Sequence, residues 1–189
     1  MYDKTDMQNT PKIILGLDPG SYHTGFGVIA LENNKLKHLE HGVISAPSAL
    51  QFHKRIAIIG RGVSELVARI NPDVSVVERI FLGKNADSAF KLGHIRGVCL
   101  FEALKNKSEI VEYAARTIKK GVTGSGAATK EQVQMMLFAA MGLKLNSAMK
   151  IDASDALALA FYHGRMMEFT TQLKRQSLQQ KRPLIKEHI

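Results

Sequence analysis

Residues 13 to 30 read IILGLDPGSYHTGFGVIA. An apolar run ends at Asp18, Pro19 and Gly20 follow, and a second apolar run starts near Gly25. A carboxylate left unpaired at the mouth of a buried strand costs several kcal/mol or more. Three things can compensate it: a basic side chain, a hydrogen-bonding turn or a metal ion. Before Pro-Gly an aspartate is well suited to cap the turn with its own side chain. The choice rests on what the remaining chain brings to the same place.

Residues 12 to 18 and 24 to 31 are predicted strands joined by the DPGS turn, and Asn33-Asn34 makes a second turn into KLKHLEHGVISA. The chain therefore opens as an antiparallel meander. Ile56, Ile59, Val63, Leu66 and Ile70 then recur at helical spacing up to Pro72. DVSVVERIF is a short buried strand, and NADSAFKLGHIRGVCLFEALKN a helix capped by Asn85. SEIVEYA is a fifth strand. KEQVQMMLFAAMG is a helix closed by Gly142, and DASDALALAFYHGRMMEF is the last helix. The order βββ-α-β-α-β-α-α predicts an α/β fold with a five-stranded mixed sheet and helices on both faces.

A chain of 189 residues is long enough for one domain with a full core. No run of about 18 apolar residues is present, and the polar start MYDKTDMQNTPK has no signal-peptide core. The one cysteine, Cys99, has no internal disulfide partner and suits a reducing cytoplasm. The net charge of +9 favours a polyanionic partner, nucleic acid above all, over a merely solvated basic surface. From residue 116 to 150 the chain has Arg116, Lys119, Lys120, Lys130, Lys144 and Lys150 against Glu131 alone. That stretch holds KKGVTGSGAATK, read as a flexible glycine-rich loop whose lysines and amides follow phosphates. Residues 1–11 are expected to be a disordered extension and 12–169 the folded domain. Residues 170–189, with Lys174, Arg175, Lys181, Arg182 and Lys186, are a basic frayed tail.

Strand alternation sets Ile14, Gly16 and Asp18 on one face of their strand, and Val74, Val76 and Glu78 on one face of theirs. Both acids thus fall at carboxyl ends of buried strands, where open α/β sheets bind ligands. Asp152 and Asp155 are three apart, an offset of about 60° on a helix, so they face one way. Here too a plain structural reading stands, with Asp152 as helix cap and Asp155 completing a capping box. The helix behind them is rich in small residues, Ala153, Ala156, Ala158 and Ala160, which lets it lie close on a sheet. Four acids meeting there would raise each other's pKa unless cations such as Mg²⁺, which accept carboxylates, water and phosphate oxygens, intervene.

The blocks ILGLDPGSYHTGFGVI, VVERIFLGKNADSAFKLGHIRGV, EYAARTIKKGVTGSGAATKEQVQMM and DASDALALA resemble the bacterial Holliday junction resolvase family, RuvC, over about Lys12 to Gly164. The resemblance implies a ribonuclease-H-like fold. It implies an endonuclease that resolves four-way DNA junctions by paired nicks, leaving 5′-phosphate and 3′-hydroxyl ends. Two Mg²⁺ per site are implied, with Mn²⁺ as a substitute, and a homodimer working with the branch-migration proteins RuvA and RuvB. Its catalytic carboxylates map onto Asp18, Glu78, Asp152 and Asp155. Its junction-centre aromatic maps onto Phe81, and its basic residues near the cut phosphate onto Lys119 and Lys130. Arg116 and Lys120 join these as DNA contacts. For Phe81 the competing role is an apolar staple onto the next helix.

His23, His94 and His163 lack ligand spacing and are read as structural or surface residues. An ATPase of the actin and sugar-kinase type shares the fold core and the DPGSYHTGFG hairpin, but needs two such lobes. A related nuclease on other nucleic acids and a non-catalytic junction binder are the remaining alternatives. The dimer surface is expected on the helix from Asn85 to Lys105, apolar around most of its circumference, with Leu100 a contact and Gly93 and Gly97 admitting a partner backbone.

Overall fold

The computed structural model describes residues 10–79, 86–144 and 150–180, with the side chains of 178–180 left aside. β1 (Lys12–Asp18), β2 (His23–Glu32) and β3 (Lys35–Ser45) form the expected antiparallel meander. Asn33 and Asn34 both take positive φ, 50° and 60°, the left-handed pair that a tight two-residue hairpin turn requires. β4 (Val74–Glu78) pairs in parallel with β1, and β5 (Glu109–Tyr113) in parallel with β4. The sheet order is β3-β2-β1-β4-β5, so β1 lies in the middle of a five-stranded mixed sheet.

The two faces follow from strand alternation. Leu15, Leu17, Val28 and Val77 meet α1 (Phe52–Ile70) and α2 (Ala86–Lys105) through Ile59, Val63, Ile95 and Cys99. Ile14, Val74 and Val76 face the other way, into a core with Ile118 of α3 (Ala115–Thr123), Leu137 and Phe138 of α4 (Lys130–Met141), and Leu157 of α5 (Ile151–Gln180). Asp18 and Glu78 continue the second set, so both carboxylates are directed to the α5 side. α5 crosses the sheet at very short range. A Cβ added at Gly16 would run into the carbonyl of Ala156, and one at Gly25 into that of Asp152. Gly16→Ala is therefore expected to cost about 1–3 kcal/mol, since the clash is with backbone that cannot turn aside. A shift of the urea midpoint at constant slope is the measurement.

Two expectations are corrected. KKGVTGSGAATK is not a loop throughout: Arg116, Lys119, Lys120 and Gly121 belong to α3, and irregular chain is confined to the residues between Gly124 and Lys130. Ile118 anchors α3 in the core, and Gly121 sits under the Tyr162 ring, where a Cβ would collide. The glycine marks a close contact inside a helix. The frayed tail is the second correction, because α5 runs on unbroken through residues 170 to 180. Those positions are filled mostly by strong helix formers and hold no glycine or proline. Thr170 and Thr171 donate back to the Met166 and Met167 carbonyls. Residues 1–9 and 181–189 lie outside the described residues. Among the described residues no helix is long and apolar enough to cross a membrane.

Candidate active site

The parallel pairing of β1 and β4 brings their last residues, Asp18 and Glu78, side by side at one end of the sheet. α5 starts over that end. Asp155, one turn into α5, reaches a cavity of about 270 Å³ shared with Asp18, Glu78, Lys119 and Lys130. Ala115 and Ile118 of α3, Val133 of α4 and Ala158 and Leu159 of α5 complete its walls. Asp152 does not line this cavity, although its charge reaches Asp18. It is the second residue of α5, inside the helix and not its cap.

Burial, then the charges of Asp155 and Glu78, push Asp18 up from 3.8 to about 7. Burial and Asp155 also raise Glu78. Lys130 opposes both shifts and forms an ion pair with Asp155. Burial works against the Lys130 ammonium, but its bond to Asp155 and the charges of Asp155, Asp18 and Asp152 outweigh that and raise its pKa. Lys130 is the first residue of α4, behind a Thr129–Gln132 capping box, where a helix dipole disfavours a cation. The acids account for its position.

Among the described residues, the side chains lining the cavity that can ligate a metal are the carboxylates of Asp18, Glu78 and Asp155, the donor type of a hard divalent cation. The excess negative charge that raises Asp18 is what such an ion would relieve. As placed, no three ligand-type side chains among the described residues form a closed cage. Mg²⁺ needs only one or two carboxylates, because water and substrate phosphate fill its other positions.

The other sequence candidates separate. Lys119 lines the acidic cavity, whereas Arg116 and Lys120 line a second hollow on the outer side of α3 with Gly121 and Tyr162. Phe81 and Asn85 lie outside the described residues. The histidines stay out of the acidic cavity: His23 pairs with Ser45, His94 with the Phe90 carbonyl and His163 with the Tyr113 hydroxyl. The α3 wall was missed by sequence reasoning, though Ala115, Ile118 and Val122 at helical spacing carry its signal.

Residues 14–163 match the family model described as crossover junction endodeoxyribonuclease RuvC. The chain belongs to the RuvC family. RuvC of Bdellovibrio bacteriovorus is 51% identical over 156 residues, spanning 82% of this chain and 92% of that protein. RuvC of Geobacter sp. strain M21 is 43% identical over 162 residues, 86% of this chain and 98% of its own. Among solved structures, T. thermophilus RuvC in complex with Holliday junction substrate superposes with a TM-score of 0.76 at 28% identity, covering 85% of this chain and 97% of that one. The yeast mitochondrial Holliday junction resolvase Ydc2, at 13% identity and a TM-score of 0.62, shares the fold. As a RuvC-family member the chain has a ribonuclease-H-like α/β fold and is a crossover junction endodeoxyribonuclease, a hydrolase of DNA phosphodiesters that resolves Holliday junctions. The span matched to RuvC contains Asp18, Glu78, Asp152, Asp155 and Lys130.

Proposed function

We propose that this chain resolves four-way DNA junctions as a homodimer, each copy cutting one strand with Asp18, Glu78, Asp155 and Asp152 as the ligands of two Mg²⁺ ions. The convergence of Asp18, Glu78 and Asp155 on one cavity, with Asp18 pushed up to about 7 by burial and crowding, carries the reading. Two Mg²⁺ held by these carboxylates would supply activation of the attacking water and stabilisation of the leaving oxygen, the chemistry that leaves 5′-phosphate and 3′-hydroxyl ends. Asp18 and Glu78 are fixed by their strands, and Asp152 and Asp155 approach from α5. Lys130 leaves Asp155 for the phosphate, where its cation offsets charge developing on the non-bridging oxygens. Lys119 lies at the cavity wall to receive the same strand, and Arg116 and Lys120 meet the backbone further out. Mn²⁺ has the same oxygen preference and substitutes in this donor set. Phe81 is assigned to the junction centre, RuvA and RuvB to branch migration alongside this chain, and the cytoplasm to its place of action.

The test is a labelled four-way junction beside a linear duplex and a single strand of matching sequence, with Mg²⁺ or with EDTA. Paired cuts in the junction alone, and only with Mg²⁺, are expected; equal cutting of duplex or single strand would favour a general nuclease. Salt gives a second measurement. Junction affinity should fall linearly on a log–log plot, and Lys119→Ala should reduce the slope by about 1. An unchanged slope would remove Lys119 from the phosphate path.

A further inference from the structure

Arg55, in the first turn of α1, is 5% exposed, yet its Nε and Nη1 have no hydrogen-bond partner. They are the only such side-chain atoms among the described residues. Its guanidinium lies instead on aromatic rings, 3.9 Å from the centroid of Tyr22 and 5.7 Å from that of Phe52. The Tyr22 side chain also shares a hydrogen bond with Arg55. A buried cation held by ring faces and one phenol hydroxyl locks the Tyr22 ring in place. Tyr22 itself is 46% exposed, on the turn that follows Asp18.

The ring forms one wall of an open cleft of about 360 Å³, completed by His23 and the segment from Ser45 to Ser48. An aromatic ring and Pro47 supply flat apolar walls. The Ser45 and Ser48 hydroxyls and His23 supply donors and acceptors. The Ala46 amide donates to the Tyr22 carbonyl at 2.9 Å, which fixes the two sides relative to each other. Lys150, just before α5, reaches Ser45 Oγ at 3.5 Å. Pairing of Asp18 with Gly25 and of His23 with Ser45 puts the cleft at the same end of the sheet as the carboxylates, two strands along. Flat apolar walls with a polar edge beside a cation are the chemistry that takes a nucleobase out of its stack.

We propose that the cleft between Tyr22 and Ser45–Ser48 receives one unstacked base of the strand being cut, with the Arg55-backed ring of Tyr22 as its stacking platform. It rests on the junction-cutting reading above. The occupied cleft would bias where the strand is cut, because base edges meet His23, Ser45 and Ser48.

The test uses the full chain, without divalent metal, and four-way junctions carrying one abasic nucleotide at each position within about three of the cut. At one position the abasic substitution should weaken wild-type binding about 5- to 150-fold. Tyr22→Phe keeps the stacking ring and loses only the hydroxyl bonded to Arg55, so it should keep the wild-type sensitivity to the abasic residue. Tyr22→Ala should bind the intact junction more weakly by the same factor and be indifferent to the abasic residue at that position. Arg55→Met removes the cation and the hydrogen bond that hold the Tyr22 ring, and should weaken binding of the intact junction while the protein stays folded. The proposal is overturned if Tyr22→Ala binds like wild type, or if its loss multiplies with the abasic loss at every position. It is equally overturned if only a neutral methylphosphonate, and no abasic residue, affects Tyr22-dependent binding. Wild-type protein that does not bind the intact junction would instead sink the function on which the proposal rests.

Discussion

Asp18→Asn is expected to abolish strand cutting, by on the order of 10³-fold or more, while junction binding is kept or tightened. The side chain keeps its shape and loses only its charge, so DNA approaching the site meets one negative group fewer. The same substitution has a stability signature that activity alone does not give. In metal-free protein the folded-state pKa of Asp18 is raised from 3.8 to about 7. The folded state therefore holds a proton that the unfolded state has released between those values. The stabilisation is fully present below about pH 4 and is lost as pH rises through about 7. A rise of that size corresponds to at most about 4 kcal/mol, and water reaching the cavity reduces it. Asparagine cannot ionise, so Asp18→Asn should be less pH-dependent over this window and more stable than wild type at pH 8 in EDTA. Urea unfolding of both proteins at pH 5 and pH 8 measures it. Parallel curves would mean that Asp18 is not the crowded, charge-poor carboxylate described above. Saturating Mg²⁺ should close the gap at pH 8 by stabilising wild type more than the variant.

This coupling explains which parts of the site were legible in the sequence. Asp18 and Glu78 stood out because period-2 alternation ties each to a buried face, and parallel pairing of their strands then leaves them no other meeting place. Asp155 followed from helical spacing, but i and i+3 could not decide which of the two α5 acids enters the cavity, and Asp155 alone lines it. α3 was hidden by Gly121, which reads locally as a loop signal. Its reason is tertiary, the ring of Tyr162 from a helix about 40 residues on. The extension of α5 was hidden for the opposite cause. Its last turns bury little, so they carry no apolar period, and intrinsic helix preference alone shapes them. Arg55 and Tyr22 gave no signal because a cation under a ring is a contact between separate elements, with no spacing of its own.

Phe101→Glu is expected to give a folded monomer that nicks junctions without resolving them. A junction must lose two strands symmetrically, and the described residues of each chain form one acidic cavity, so the proposed dimer would place two copies about a two-fold axis. α2 offers the surface. Its inner side buries Ile95, Cys99 and Ala103, while Phe90, Phe101 and Leu104 are 70%, 62% and 59% exposed. With Gly93 and Gly97 these form a stripe at 90, 93, 97, 101 and 104, the spacing of a helix-pairing seam. Among the described residues, no atom apart from chain neighbours and the helix's own backbone stands within 4 Å of a Cβ built on either glycine, so a partner helix can approach closely. Leu100 is not on this stripe. It packs against the core shared with α1, so a charge there would damage the fold before it reported on assembly. At Phe101 the charge falls on the open side. About 2 kcal/mol per copy, counted twice across the axis, weakens the dimer by about 10³-fold. Sedimentation at micromolar concentration should show a wild-type dimer and a folded monomeric variant, its melting temperature lower only by the concentration-dependent share that dimerisation adds to wild type. On a junction with labels on both cut strands, wild type should release paired products and the variant independent single nicks. A Phe101→Glu protein that stays dimeric, or a monomer that still cuts both strands together, would move the two-fold axis off α2 or remove the need for it.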